Sequence, residues 1–173
     1  MVAALELYLD TDATRRVRTL WAALEAEGIP TLASLQNQRH RPHVSLAAAH
    51  RLAPEPIAEA LTGLDVGRGL TVDLDFAGQF VGRVLWLGVT VTAELLEHHR
   101  AVHERLTAAG VEVWEHYRPG RWVPHCTISM RVPNPLMAQA IRRCLEVLPI
   151  RATITGAAIT DHVNDIARPL PRS

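Results

Sequence analysis

Two short stretches decide how this chain reads: Pro42-His43-Val44-Ser45-Leu46 and Pro124-His125-Cys126-Thr127-Ile128. Both have the form Pro-His-x-(Ser/Thr)-aliphatic, and they stand 82 residues apart in a chain of 173. Of the nine histidines, only these two have a hydroxyl residue two positions on. Each stretch is expected on a strand, where residues two apart project from the same face. His43 and Ser45 then point one way together, as do His125 and Thr127. Val44, Leu46, Cys126 and Ile128 turn into a core.

The same ungapped shift lays Leu5 on Leu87, Leu24 on Leu106, Gly28 on Gly110 and Arg39 on Arg121. Both helix-stopping glycines and both Pro-His pairs fall in register. The order strand, helix, loop, strand, helix, strand repeats with them, which reads as an internal duplication. The chain is therefore expected to be one α+β domain, residues 1–173. It would hold two pseudo-symmetric lobes, roughly 1–76 and 84–160, of antiparallel sheet with flanking helices around a central cleft.

In the first half, 2–9 reads as a strand. A helix capped by Thr11 or Asp12 carries Val17, Leu20, Trp21 and Leu24 on one face until Gly28 stops it. The polar run 36–41 reads as a loop, 43–49 as a strand and 54–64 as a helix with proline in its first turn. Residues 70–76 alternate as an amphipathic strand. In the second half, 84–91, 123–130 and 151–160 read as strands, 93–109 and 135–148 as helices. The tail from Ile166 reads as an edge strand or an irregular end.

All 18 basic residues are arginine, balanced by 18 acidic ones, and lysine is absent. That excludes chemistry needing a lysine amine: the P-loop, Schiff-base and pyridoxal enzymes, and ligases that adenylate a lysine. Zero net charge argues against coating nucleic acid through a basic surplus, though an arginine-lined groove remains possible. No apolar run reaches the roughly 18–20 residues that span a bilayer. Two cysteines, Cys126 and Cys144, are expected as free thiols in a cytoplasmic protein, and no membrane contact is expected.

Two imidazole–hydroxyl pairs in one cleft suit a particular chemistry. Cleaving or forming a phosphodiester at a ribose hydroxyl needs one group to take a proton and another to give one. Imidazole does both near neutrality, with an unperturbed pKa of about 6.5. The hydroxyls can donate to the non-bridging phosphate oxygens as charge builds there. No metal or other cofactor is required. Which histidine is base and which acid stays open.

These residues resemble the 2H phosphoesterases, the family of bacterial 2′-5′ RNA ligase-like proteins and RNA 2′,3′-cyclic phosphodiesterases. The stretch Tyr117-Arg118-Pro119-Gly120-Arg121-Trp122-Val123-Pro124-His125-Cys126-Thr127 is similar to the family's second motif region. The resemblance implies a bilobal α+β fold and metal-independent chemistry on 2′,3′-cyclic phosphates or 2′-5′ linkages. It implies His43 and His125 as the acid/base pair and Ser45 and Thr127 as phosphate holders. Arg131, six residues past His125, would sit on the same strand face and add a basic contact.

Around this core of the site, Arg118 and Arg121 could clamp phosphate bidentately, and Tyr117 and Trp122 could stack a base. Cys126 reads as core rather than nucleophile. His98, His99 and His103 read as a solvated helix face rather than a metal site, and His162 with Asp165 as unremarkable. The expected activity is hydrolysis of cyclic phosphates on RNA ends or on small nucleotides by a monomer. The alternatives are ATP-independent 2′-5′ ligation at the same site, or non-catalytic binding of RNA ends.

Overall fold

The computed structural model describes residues 3–35, 40–50 and 52–170. Seven strands form one antiparallel sheet: β1 (Ala3–Leu9), β2 (His43–Ala49), β3 (Thr71–Phe80), β4 (Val84–Val89), β5 (His125–Ser129), β6 (Ile150–Asp161) and β7 (Ile166–Pro169). Four helices accompany them: α1 (Thr11–Ala26), α2 (Pro54–Ala60), α3 (Ala93–Ala108) and α4 (Met137–Val147). The fold is α+β, as the element pattern predicts. Most of the polar loop expected at 36–41 lies outside the described residues.

Sheet order is β2-β1-β6-β3-β4-β5, with β7 added beside β6. Exchanging β1 with β4, β2 with β5 and β3 with β6 reverses this order and leaves it unchanged. The third strand of each half nevertheless pairs with the first strand of the other: β6 with β1, and β3 with β4. Long β6 makes this possible, because residues 150–153 pair with β3 and residues 154–161 with β1. Helices cross over in the same way, α1 packing against α4 and α2 against α3. Neither half closes its core without the other.

Local signals account for the element ends. Asp10, rather than Thr11 or Asp12, caps α1 by accepting from the Ala13 N–H, and its other carboxylate oxygen accepts from the Thr153 N–H. A residue one step earlier can do this because the cap itself sits outside the helix. Thr92 caps α3 in the same register. Gly28 and Gly110 follow these helices with φ of 77° and 71°, a left-handed turn that glycine takes without strain. The α2 helix stops at Ala60, short of the expected Leu64, where a turn with Gly63 at positive φ takes over. Expected Pro135–Leu148 begins instead with a 3₁₀ turn at Asn134–Leu136.

One face of the sheet is apolar. Leu5, Leu7 and Leu9 on β1, Val44 and Leu46 on β2, and Leu85, Leu87 and Val89 on β4 are buried against Val17, Leu24, Val102 and Leu106 of the helices. Each such side chain contributes roughly 1.5–3 kcal/mol relative to exposure. The edge strands of the order, β2 and β5, come close to each other without forming a ladder, so the sheet curls round and brings its two ends together. Among the described residues no helix is long and apolar enough to cross a membrane.

Candidate active site

His43 and His125 open β2 and β5, and the two strands meet at these residues: the buried Cys126 thiol lies against the backbone N–H of His43. Both imidazoles are held alike. His43 Nδ1 lies 2.7 Å from the Arg41 carbonyl, and His125 Nδ1 lies 2.7 Å from the Val123 carbonyl. A carbonyl only accepts, so each Nδ1 carries a proton and each Nε2 is the nitrogen left for chemistry. Ser45 and Thr127 are partly exposed on the same strand faces, and the residues between them are buried.

Half-one and half-two histidines sit on different floors. Antiparallel register places Tyr8 opposite His43 and Glu6 opposite Ser45. Glu6 is 1% exposed. Its Oε1 lies 3.5 Å from His43 Nε2 and 2.8 Å from Nε2 of His162, the residue after β6. Burial pushes this carboxyl up, but the charge of His43, the hydrogen bond and charge of His162 and the Thr160 hydroxyl outweigh that and hold it below the ordinary carboxylate range. Burial and the Glu6 charge raise the Tyr8 phenol, whose ring lies beneath the Arg41 guanidinium at 4.3 Å.

Beside His125 the floor is aromatic instead. Phe80 meets the imidazole edge-on at 4.8 Å, Trp86 lies 5.9 Å away, and Phe76 packs against Trp86. Burial lowers His125; its bond to the Val123 carbonyl opposes this, while the charges of His43 and His116 add to it. Gly88 and Gly78 allow the rings to lie flat, since a Cβ on Gly88 would overlap the Phe76 ring and one on Gly78 the Trp86 ring. Gly88→Ala should turn Phe76 off the sheet, at roughly 1–3 kcal/mol in urea unfolding and with a change in Trp86 fluorescence. Unchanged stability and emission would remove this account of the glycine.

The segment between α3 and β5 buttresses the site. Trp122 is buried, stacks flat on His99 at 4.0 Å and donates its Nε1–H to the Ser45 carbonyl at 3.0 Å, so it positions β2 rather than offering a face to a base. The Tyr117 hydroxyl meets the Ser45 hydroxyl. His99 and His103, read from sequence as a solvated face, are 1% and 4% exposed. Their Nε2–H groups donate to the Tyr117 and Leu46 carbonyls at 2.9 Å each. They are buried because this helix face packs on β2 and the 115–117 turn, a contact that helical periodicity alone does not reveal.

Arg118 and Arg121 are exposed, and Arg121 lies 3.7 Å from Glu115. β5 ends at Ser129 instead of Met130, so alternation does not reach Arg131, which is exposed just past the bend at Met130. Cys126 and Cys144 are free and buried, and burial pushes both thiols up to about 12. Among the described residues, no group of three or more His, Cys, Asp or Glu could hold a metal.

The family model of the 2′-5′ RNA ligase superfamily matches residues 38–166, a span that contains both histidine motifs. The chain belongs to that superfamily, the 2H phosphoesterases, whose members are phosphoesterases and RNA-ligase-like enzymes. Among solved structures it is similar to Escherichia coli LigT in its apo form, at 18% identity and a TM-score of 0.64 over 99% of this chain and 94% of that one. It is also similar to a protein described as a phosphoesterase, at 19% identity and a TM-score of 0.61 over 99% and 94%. The E. coli LigT complex with 3′-AMP matches at 16% identity and a TM-score of 0.56 over the same shares. No curated protein sequence matches the chain.

Proposed function

We propose that this protein hydrolyses 2′,3′-cyclic phosphates of RNA ends or small nucleotides by two-histidine acid/base catalysis that needs no metal. The observation that carries this reading is the matched pair of imidazoles, each with Nδ1 committed to the carbonyl two residues before it, so that Nε2 is the nitrogen available to proton transfer. One Nε2 takes a proton from water as its oxygen attacks phosphorus. The bond from phosphorus to one ribose oxygen breaks, and the other Nε2–H protonates that oxygen. A phosphomonoester and a free ribose hydroxyl result, and the histidines exchange protonation states until solvent resets them.

In this reading Ser45 and Thr127, on the strand faces of the two histidines, donate to the non-bridging oxygens as charge grows. The exposed Arg118, Arg121 and Arg131 then supply positive charge to the phosphate, and the Phe76–Phe80–Trp86 floor offers flat surface for a base. Binding of 3′-AMP by E. coli LigT, which shares the fold, supports a substrate of nucleotide size. With a 5′-hydroxyl in place of water as the nucleophile, the same residues would open the cyclic phosphate into a 2′-5′ linkage, the other ribose oxygen leaving with the proton. Two intertwined lobes from a duplicated half account for one such residue set on each side of the cleft.

Purified protein incubated with 2′,3′-cyclic nucleotides in the presence of EDTA should produce phosphomonoester with a bell-shaped pH dependence. Turnover that disappears on chelation and returns with added metal would overturn the mechanism. Tight binding with no turnover would favour a binding protein.

A further inference from the structure

Under the 82-residue shift the counterpart of Glu6 is Gly88, so a buried carboxylate stands beside one catalytic-site histidine and nothing ionisable stands in its place beside the other. We infer that Glu6 is a positioning residue whose carboxylate holds the Nε2 proton on His43, making His43 the acid that protonates the leaving ribose oxygen and leaving His125 as the base that takes the proton of water. This rests on the hydrolytic reading above and assigns its two roles.

The charge of Glu6 is what calls for a function. A carboxylate at 1% exposure is costly unless a cation answers it. A glutamine would fill the same space and keep a hydrogen bond to His162 without that cost. Oε2 makes no full hydrogen bond of its own, which a side chain kept only for packing would not need to tolerate. Oε1 is shared between His43 and His162, and an anion so placed favours the imidazolium over the imidazole. At His125, burial beside aromatic rings favours the neutral ring that a base must be. The two rings thus meet opposite surroundings, an anion at the Nε2 of one and an aromatic floor beside the other.

Other ionisable groups facing this pair are Tyr8 on β1, His40 and Arg41 ahead of β2, Asp161 and His162 at the end of β6, His125 and the Cys126 thiol on β5, and His116 and Tyr117 from the turn before it. Both phenols are raised above their ordinary range. Burial and the charges of His162 and His43 lower His40 to about 4. That leaves His162, raised chiefly by its bond to Glu6, as the group competing for the same oxygen.

The test is the pH profile of kcat/KM for a 2′,3′-cyclic nucleotide, which reports ionisations of the free enzyme, beside NMR titration of the His43 and His125 rings without ligand. Glu6→Gln should move the alkaline limb to lower pH by about one unit, with the acidic limb fixed. Glu6→Asp should recover part of that shift. His162→Gln, which removes the competitor at a half-exposed position, should move the alkaline limb the other way. Movement of the acidic limb in Glu6→Gln would make His43 the base and overturn the assignment. A uniform fall with both limbs fixed would reduce Glu6 to a structural part. If no cyclic phosphate is turned over, the hydrolytic reading fails. The ion pair is still decided then by whether the His43 ring titrates at lower pH in Glu6→Gln, and a ring that does not move refutes it.

Discussion

His43→Ala and His125→Ala are each expected to lower kcat/KM on a 2′,3′-cyclic nucleotide by about three orders of magnitude, on the order of 4 kcal/mol of transition-state stabilisation. The double variant should be little worse than either single one. An acid and a base that act in the same displacement are non-additive, since losing one makes the other's proton transfer unproductive. Substrate affinity should change little, because the proposed phosphate-holding hydroxyls of Ser45 and Thr127 are untouched. Cys126→Ala is the control: its thiol is fully buried behind the histidines and pushed up to about 12, so turnover should persist. A thiolate mechanism predicts the reverse. Loss of the same size from only one histidine substitution would leave a single proton-transfer group and end the two-histidine account.

Much of this site was legible because its chemistry is repeated. One Pro-His-x-(Ser/Thr) stretch is weak, but two in an 82-residue register, each on a strand with apolar alternation, fix both the side chains and their common face. Fold class followed from the same repeat, as did both helix-ending glycines. What the sequence did not show is cross-strand register. Glu6 sits in an apolar run, and only the β1–β2 ladder sets it opposite Ser45 and beside His43. His162 arrives from 156 residues away along the chain. Exchange of third strands between halves was equally invisible, because periodicity names a strand without naming its partner. His99 and His103 were misjudged for that reason too: their helix is polar enough to read as solvated, yet the tight Trp122 and Tyr117 segment covers them. Arg131 was assigned a strand face by carrying alternation two residues past the end of β5.

Those two buried histidines carry the second large expectation, a loss of stability on mild acidification well before the carboxylates titrate. Burial lowers His99 to about 4, its neighbour His103 adding to the effect while the bonds to the Tyr117 and Leu46 carbonyls oppose it. Burial lowers His103 as well, with its Leu46 bond opposing and the Arg118 charge reinforcing. An unfolded histidine takes its proton near pH 6.5. Between about pH 6.5 and 4 the unfolded chain therefore binds more protons than the folded one, and stability falls as pH falls. For His99 the full window is worth up to roughly 3 kcal/mol, at about 1.4 kcal/mol for each unit of pH. His162 works in the opposite sense: raised by Glu6, it stabilises below pH 6.5 and loses that contribution as pH rises, so it offsets part of the loss. Lowered carboxyls such as Glu6 and Asp10 lose their contribution only at lower pH, as pH falls through their depressed folded values. Urea unfolding at pH 7.5 and at pH 5.0 should show the drop. His99→Gln should be less stable at pH 7.5, having lost its fit against Trp122, yet show a shallower fall toward pH 5.0. A fall of the same steepness in that variant would mean that the proton enters elsewhere and that these histidines are not what makes the fold acid-sensitive.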